Sequence, residues 1–413
     1  MTQAQSGKKF SRRAFLAVSA AGIATAASNR KVIGANERVR VGVIGCGERG
    51  LALMRDMVRL NVRGQRVEIA AICDIWRRRT EQGAVYSNAA IHRDWHELID
   101  RSDLDAILIA TPDHWHAPMT LAAMKTGKDV YCEAPMTRTI LEARAVMETA
   151  QIHRSIVQIG ASLTSHPIWH EARKLIVSGK LGAVRRCQPG PLAPGLAPFI
   201  SAAHTSIPNT IDWQAFLGDA PQHPFDPERY THWQHYWDYS GDIAGDRNFE
   251  RLAALLIAIG SETPHRISAA GGVTGPAKRE VPNAFMTTLH YDNDKTVVLT
   301  SATKATRSLP TVIRGERASL EIDGTRLTLR DGSHAALSTY TEDPGETLTV
   351  DAPRSAHHLS EWIDAVRSRQ ACTCDEKLGF DTMAAIAASL HAYRKKRSVT
   401  YDNVYDQIVA VST

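Results

Sequence analysis

Three glycines of this chain, Gly45, Gly47 and Gly50, have the spacing of a dinucleotide-binding turn. A short run rich in β-branched residues, 40–44, precedes them, and apolar residues follow at helical spacing, at Leu51, Met54 and Val58. A strand, a glycine turn and a helix form the context that such a turn requires, because the first N–H groups of the helix bind a diphosphate. The predicted cofactor-binding residues of the turn are Gly45, Cys46, Gly47, Glu48, Arg49 and Gly50.

Asp74 stands where such a fold places the carboxylate that binds the adenosine ribose. It closes a second apolar run, 67–73, and a carboxylate at this position hydrogen-bonds the ribose hydroxyls. Because the same charge repels the 2′-phosphate of NADP, NAD is the predicted cofactor and NADP is disfavoured. The positive charge of the nearby Arg77 acts in the opposite direction, because it favours the 2′-phosphate of NADP. The alternative for the glycine pattern by itself is a structural turn without a ligand.

Strands and helices alternate along the chain up to about residue 160. The elements predicted after Asp74 are a strand over 106–112, a helix over 117–126, a strand over 129–135, a helix opened by a capping box of Thr139 and Glu142, and a strand over 155–160. This alternation predicts a doubly wound parallel sheet with right-handed crossovers. We therefore predict an α/β fold with a nucleotide-binding Rossmann domain over residues 37–160.

The pattern changes after residue 160. Residues 188–230 are rich in Pro, Gly and aromatic residues and are predicted to form long loops. Strand-like runs separated by tight turns follow, at 265–273, 285–291, 296–303, 318–322 and 326–329. Two helices, 359–367 and 381–394, close the chain. We predict a C-terminal α+β domain over residues 161–413 with a mostly antiparallel open sheet, whose uncovered apolar face favours a homo-oligomer.

The positive charge of the chain is confined to its N-terminus. The 413 residues are 43% hydrophobic and carry a formal net charge of +5. Six basic residues and no acidic residue lie in residues 1–36, so the rest of the chain has a net charge of −1. A body without a basic surplus disfavours nucleic acid as a partner.

The six cysteines do not have the pattern of a metal site. Cys46, Cys73 and Cys132 fall at predicted strand ends or turns and are expected to be buried. Cys372 and Cys374 lack partners at zinc-ligand spacing, so no metal is predicted. The sequence specifies no disulfide.

Residues 1–36 resemble a bacterial twin-arginine export signal. Arg12 and Arg13 precede a mildly apolar run, 17–27, that is too short and too rich in alanine for a stable membrane span. The resemblance implies the twin-arginine export machinery as a partner and a periplasmic or exported location, with cleavage after Ala26 or Ala35. It also implies a tightly bound nucleotide, since such substrates cross the membrane folded. The alternative is a frayed basic tail.

Taken together, these motifs make the chain similar to the glucose–fructose oxidoreductase, inositol dehydrogenase and rhizopine-catabolism family (Gfo/Idh/MocA) over residues 38–403. The resemblance rests on the glycine turn, Asp74, the Thr-Pro-Asp-His-Trp-His run of 111–116, the Tyr-Cys-Glu-Ala-Pro run of 131–135 and the segment 237–246. It implies a Rossmann domain, a second α/β domain whose sheet forms oligomer contacts, and hydride transfer between a nicotinamide and a sugar, cyclitol or related alcohol.

The resemblance also assigns site residues. Further cofactor-binding residues by resemblance are Thr111, Pro112, His114, His116 and Glu133. The candidate catalytic residues are Glu133, Asp246 and Glu250, of which Asp246 matches the first carboxylate of the family's Asp-x-Gly-x-His segment. Two positions depart from the family pattern, because Ala134 replaces a lysine and Glu250 replaces the histidine.

These departures leave three functions open. Oxidation of an alcohol needs a base for the hydroxyl proton and positive charge beside the reacting oxygen. Glu250 serves as that base if burial raises its pKa, and otherwise it lies on the face of an amphipathic helix. The three functions are an oxidoreductase that retains its NAD, a catalytically weakened nucleotide-binding protein that binds sugars or a partner, and a redox-assisted glycoside-cleaving enzyme. The aromatic residues of 230–239 suit either a sugar ring or a core or lid segment.

Overall fold

The structure is a computed structural model that describes residues 38–190, 211–273, 275, 278–302, 310–331, 346–349, 356–402 and 407–410. The leader predicted over residues 1–36, with Arg12 and Arg13, lies outside this range. Among the described residues, no helix is both long enough and apolar enough to cross a bilayer.

The N-terminal part forms a six-stranded sheet in the order β3-β2-β1-β4-β5-β6. Its strands are β1 (Val39–Ile44), β2 (Val67–Cys73), β3 (Ala90–His92), β4 (Ala106–Ile109), β5 (Asp129–Cys132) and β6 (Val157–Ile159). Every neighbouring pair is parallel, and this strand order is that of the Rossmann fold. The predicted doubly wound parallel sheet is confirmed.

Five helices connect these strands. They are α1 (Glu48–Leu60), α2 (Arg77–Ala84), α3 (Trp95–Ile99), α4 (His116–Lys125) and α5 (Ile140–His153). All residues of β4 and β5 are buried, as expected for a parallel sheet covered on both faces. At the start of α5, Thr139 and Glu142 cap each other's backbone amides, which confirms the predicted capping box.

The C-terminal part forms a ten-stranded sheet in the order β14-β13-β12-β11-β7-β10-β9-β8-β15-β16. Its strands are β7 (Val184–Gln188), β8 (Arg266–Gly272), β9 (Ala284–His290), β10 (Thr296–Ala302), β11 (Thr311–Gly315), β12 (Ala318–Asp323), β13 (Arg326–Asp331), β14 (Glu346–Thr349), β15 (Val399–Asp402) and β16 (Gln407–Ala410). Among the described strands of this second sheet, only β7 and β10 pair in parallel. The predicted mostly antiparallel open sheet is therefore confirmed.

Helices of the C-terminal part join the two sheets. They are α6 (Pro167–Val177), α7 (Trp213–Leu217), α8 (Pro227–Thr231), α9 (Asp242–Ile259), α10 (Ala356–Ser368) and α11 (Glu376–Lys395). Helix α9 packs against α6, α11 and β10, and α11 also packs against α5 and β8. One apolar core therefore runs from the first sheet through these helices to the second. This packing places the start of α9 beside the carboxyl ends of the parallel strands.

Some local expectations differ from the structure. Of the long loops predicted over 188–230, the part over 191–210 lies outside the described residues. The rest contains α7 and the start of α8, whose first amides are capped by Asp212 and Asp226. All six cysteines are buried and unbridged, and the described residues contain no group of three or more His, Cys, Asp or Glu that could hold a metal ion.

Candidate active site

The glycine turn has the shape of a diphosphate cradle. Gly45 has φ +94°, and a Cβ atom on Gly50 would lie 1.9 Å from the Gly45 carbonyl oxygen, so neither position accepts a side chain. A Cβ atom on Gly47 would be in van der Waals contact with the Arg79 guanidinium, at 3.8 Å. Helix α1 begins at Glu48 without a side-chain cap, which leaves its first N–H groups available to an anion.

Asp74 lies at the end of β2, next to the glycine turn. One carboxylate oxygen accepts the Cys46 amide at 2.8 Å and the other accepts the Trp76 amide at 2.9 Å. Asp74 is 6% exposed, and burial raises its pKa while Arg79 opposes the rise. The carboxylate therefore ties β2 to the turn.

The arginine that faces the glycine turn is Arg79. Arg77 pairs with Glu81 at 2.9 Å on the exposed face of α2. The Arg79 guanidinium instead lies 5.5 Å from the ring centre of Trp76 and 5.2 Å from that of Tyr230. The sequence indicated Arg77 as the positive charge near the nucleotide. In the structure Arg79 takes that position, because the first turn of α2 directs it toward the glycine turn.

The residues after β4 leave two buried polar atoms without a partner. Thr111, followed by Pro112, has a buried Oγ1 that forms no hydrogen bond to the described residues. His114 donates from Nε2 to the Phe216 carbonyl at 2.8 Å. Burial lowers the pKa of His114 to about 4, so its ring is neutral and Nδ1 is a buried acceptor, also without a partner. Such unsatisfied atoms in a native site point to a bound ligand.

His116 braces the site and is 1% exposed. Its ring nitrogens face the carbonyl oxygens of Thr111 at 2.9 Å and Pro135 at 2.7 Å. Burial lowers the pKa of His116, but Cys132, Asp113 and the Pro135 carbonyl outweigh it and raise that pKa to about 10. A protonated ring donates to both carbonyls, so His116 holds the ends of β4 and β5 together and has no nitrogen left for a ligand.

Glu133 and Arg49 form an ion pair at the end of β5. Arg49 Nε donates to Glu133 Oε1 at 2.9 Å, with the Arg49 side chain 48% exposed and that of Glu133 14% exposed. Tyr131 donates to the same oxygen at 3.3 Å. A Cβ atom on Gly160 would lie 2.8 Å from the Glu133 carboxyl, so glycine there makes room for the acid. Arg49 thus places a positive charge beside Glu133, whereas the neighbouring Ala134 supplies none.

Helix α9 presents two acids one turn apart. Glu250 Oε1 accepts from Ser162 Oγ at 2.8 Å and from the Leu163 amide at 3.2 Å. Burial raises the pKa of Glu250, and these two donors and Arg49 oppose the rise. Asp246 forms no hydrogen bond to the described residues, and burial together with the nearby Asp113 and Glu250 raises its pKa well above the usual range. The Asp246 carboxyl therefore favours its protonated form.

Residues 211–240, here called the aromatic strap, cover the carboxyl edge of the parallel sheet. The Phe216 carbonyl accepts from the Trp115 indole at 2.9 Å as well as from His114. Arg138 donates to two backbone carbonyls of the strap, each at 2.6 Å. Trp76 packs into the apolar cluster of the strap, which contains Ile211, Trp213, Phe216, Leu217, Tyr230, Tyr236 and Tyr239. Ligands of doubly wound sheets bind at this edge, so the strap covers the predicted nucleotide site.

The structure thus brings all the predicted site residues to one edge of the first sheet. Sequence reasoning missed Arg79, Ser162 and Ser240, and the last of these donates to Asp113 at 2.6 Å. Their contacts join residues up to 127 positions apart, so no local pattern could have indicated them. Arg49 was predicted only as part of the glycine turn, and the structure adds its ion pair with Glu133.

Comparison with known proteins agrees with this geometry. Residues 39–161 match the model of the GFO_IDH_MocA family, described as an oxidoreductase family with an NAD-binding Rossmann fold. The match covers the first sheet and its helices. It includes Gly45, Asp74, Thr111, His116 and Glu133.

Two curated relatives match part of the chain. An inositol 2-dehydrogenase of Rubrobacter xylanophilus is 33% identical over 151 residues, which cover 36% of this chain and 43% of that protein. An alpha-N-acetylgalactosaminidase of Shewanella oneidensis is 35% identical over 127 residues, which cover 28% of this chain and 26% of that protein. The matched stretches thus span less than half the length of either relative.

A solved structure shares the fold over nearly the whole chain. Levoglucosan dehydrogenase, in complex with NADH and levoglucosan, superposes with a TM-score of 0.68 at 17% identity, covering 88% of this chain and 99% of that one. At this level of identity the likeness shows the two-part architecture.

Proposed function

We propose that this protein is an NAD-dependent oxidoreductase that acts on a sugar, cyclitol or related alcohol. The observation that carries the proposal is the uncapped start of α1 after the glycine turn, which lies at the same sheet edge as the acids of α9. The unpartnered Oγ1 of Thr111 and Nδ1 of His114 support a ligand at this edge. Similarity to an inositol 2-dehydrogenase and to a levoglucosan dehydrogenase supports a substrate of this class.

The proposed chemistry divides between Glu250, Asp246 and Arg49. When bound, NAD supplies the hydride acceptor. Glu250 takes the hydroxyl proton, because Oε1 is held by Ser162 and Leu163 while Oε2 accepts no hydrogen bond from the described residues. Asp246, kept protonated by burial and its acidic neighbours, donates a hydrogen bond to the substrate. Arg49 stabilises the negative charge that develops on the oxygen, the role a lysine at position 134 has in the family.

The cofactor is proposed to be NAD rather than NADP. Asp74 lies beside the glycine turn and repels a 2′-phosphate, while Arg79 is the group that would attract one. We expect calorimetric titration of the emptied protein to show tighter binding of NAD. Equal affinity for NADP would contradict the assignment of Asp74 and would indicate that Arg79 dominates.

We propose that the nucleotide is retained under the aromatic strap and that the protein is exported with it. Tyr230→Ala removes the ring that lies against Arg79 and Trp76, and should speed nucleotide release about 10-fold. Tyr230→Phe is the matched control, because the Tyr230 hydroxyl has no partner among the described residues. Equal release rates for the alanine variant and the wild-type protein would contradict retention by the strap.

Two alternatives follow from the departures at Ala134 and Glu250. The matched alpha-N-acetylgalactosaminidase supports a redox-assisted glycoside-cleaving enzyme. In that reaction a ring hydroxyl is oxidised to a ketone, the adjacent C–H loses its proton, the glycosidic C–O bond breaks, and water and the hydride are then added back. The other alternative is a nucleotide-binding protein that binds sugars without turnover.

One experiment separates the three functions. The full-length protein, loaded with its own nucleotide, is mixed with a panel of free sugars, cyclitols and aryl glycosides. An oxidoreductase changes the nicotinamide absorbance with a free alcohol, and a glycoside-cleaving enzyme releases the aglycone with no net change in nucleotide. Saturable sugar binding without either signal would overturn the proposed function in favour of the binding protein.

A further inference from the structure

Three arginines meet around the first half of helix α9. Arg251 is 3% exposed and donates to the carbonyls of Pro189 and Thr300, the latter at 2.6 Å. The side chain of Arg279 is 7% exposed and forms an ion pair with Asp242. Arg247, one turn before Arg251, is partly buried. Arg279 and Arg247 both act on the Asp242 carboxylate, and Arg247 also acts on Arg251.

The cluster contains more hydrogen-bond donors than acceptors. The Nε atoms of Arg247, Arg251 and Arg279 are all buried and have no acceptor among the described residues. Arg247 forms no hydrogen bond or ion pair at all within that part of the chain, whereas Arg251 and Arg279 each have partners through their terminal nitrogens. A buried donor without an acceptor is unfavourable, so a group that supplies acceptors would stabilise this arrangement.

The charges of the cluster are also unbalanced. Burial and the charge of Arg247 lower the pKa of Arg251 to about 10, so the two guanidinium groups repel each other. Asp242, the carboxylate that Arg247 influences, is already paired with Arg279. The segments 191–210 and 303–309, which follow β7 and β10 in the sequence, contain no Asp or Glu. The chain therefore provides no free counter-charge for Arg247 in these stretches.

We propose that Arg247, supported by Arg251, binds an anionic group on the substrate. The inference rests on the proposed function and narrows its substrate class to a sugar or cyclitol that carries a carboxylate or a phosphate. A planar guanidinium binds either group through two parallel hydrogen bonds. Arg247 acts on Asp242, whose charge in turn acts on Asp246, so an anion held by Arg247 would place the neighbouring part of the substrate at the end of α9 that carries Asp246.

Calorimetry on the full-length protein with its retained nucleotide tests this proposal without requiring turnover. The probes are glucose, glucuronate and glucose phosphorylated at its primary hydroxyl. We expect one of the two anionic sugars to bind about 10- to 100-fold more tightly than glucose. Tighter binding of glucuronate identifies a carboxylate as the recognised group, and tighter binding of the phosphorylated sugar identifies a phosphate.

Variants of Arg247 connect that preference to this side chain. Arg247→Met should remove the preference, and Arg247→Lys should keep part of it, because lysine retains the charge without the planar fork. Arg55→Met, on the exposed face of α1, is the matched control and should bind as the wild type does. Equal binding of the three sugars, or an undiminished preference in both Arg247 variants, would overturn the proposal. Absence of turnover with anion binding intact would contradict the proposed function instead.

Discussion

Glu250 has one carboxylate oxygen held by Ser162 and Leu163 and one that accepts no hydrogen bond from the described residues, which makes Glu250→Gln a selective test of the proposed base. The amide oxygen of glutamine can take the place of Oε1 and still accept from Ser162 and Leu163. The variant therefore keeps the packing and loses only the proton acceptor. Positioned acid–base catalysis contributes about 10²–10⁴ in rate, which corresponds to about 3–5 kcal/mol of barrier at about 1.36 kcal/mol per tenfold. We expect a rate loss in this range.

The assay is single-turnover reduction of the retained nucleotide, followed over pH. Burial raises the pKa of Glu250, and the base acts ionised, so the wild-type rate should rise with pH through a pKa above the usual value of about 4.3. Glu250→Gln should lose this rise. Ser162→Ala should move it to higher pH, because the lost hydrogen bond stabilises the charged form.

The control is Glu148→Gln, the same substitution at an exposed position of α5, which should leave rate and pH profile unchanged. Equal rates and equal pH profiles for Glu250→Gln and the wild type would refute the assignment of Glu250 as base. Glu250 would then be a helix-face residue that anchors the turn over 162–165.

Three further predictions test the remaining assignments. Ala134→Lys combined with Glu250→His should raise turnover by about 10²-fold or more, with no comparable gain from either change alone because such groups act as a unit; no gain with any sugar would favour the binding-protein alternative. Asp246→Asn should raise the melting temperature at neutral pH and have little effect below about pH 3.9, since a raised pKa makes the folded state lose stability as pH increases; an unchanged melting temperature at neutral pH would show that Asp246 is not strained by burial. Replacing Arg12 and Arg13 with lysine should leave the folded protein in the cytoplasm, and an undiminished periplasmic signal would contradict export by the twin-arginine pathway.

The nucleotide-binding half of the site was determined by the sequence alone. The turn of Gly45, Gly47 and Gly50 joins a strand and a helix that are consecutive in the chain, and Asp74 follows the next strand. Local spacing encodes such a turn where the steric limit comes from residues nearby in the chain, as at Gly50, where a Cβ atom would lie 1.9 Å from the Gly45 carbonyl oxygen. The alternation of strands and helices likewise determined the parallel sheet.

The geometry of the proposed catalytic half was decided only by the tertiary structure. Arg49 and Glu133 are 84 positions apart, and their pairing depends on the order of β1 and β5 in the first sheet. Ser162 and Glu250 are 88 apart, and their pairing depends on how α9 packs against that sheet. The pKa changes of Asp246 and Glu250 come from burial among acids that lie on several elements. Residue types and spacing determine which groups are available, but long-range packing determines which charges are buried together, and that sets their chemistry.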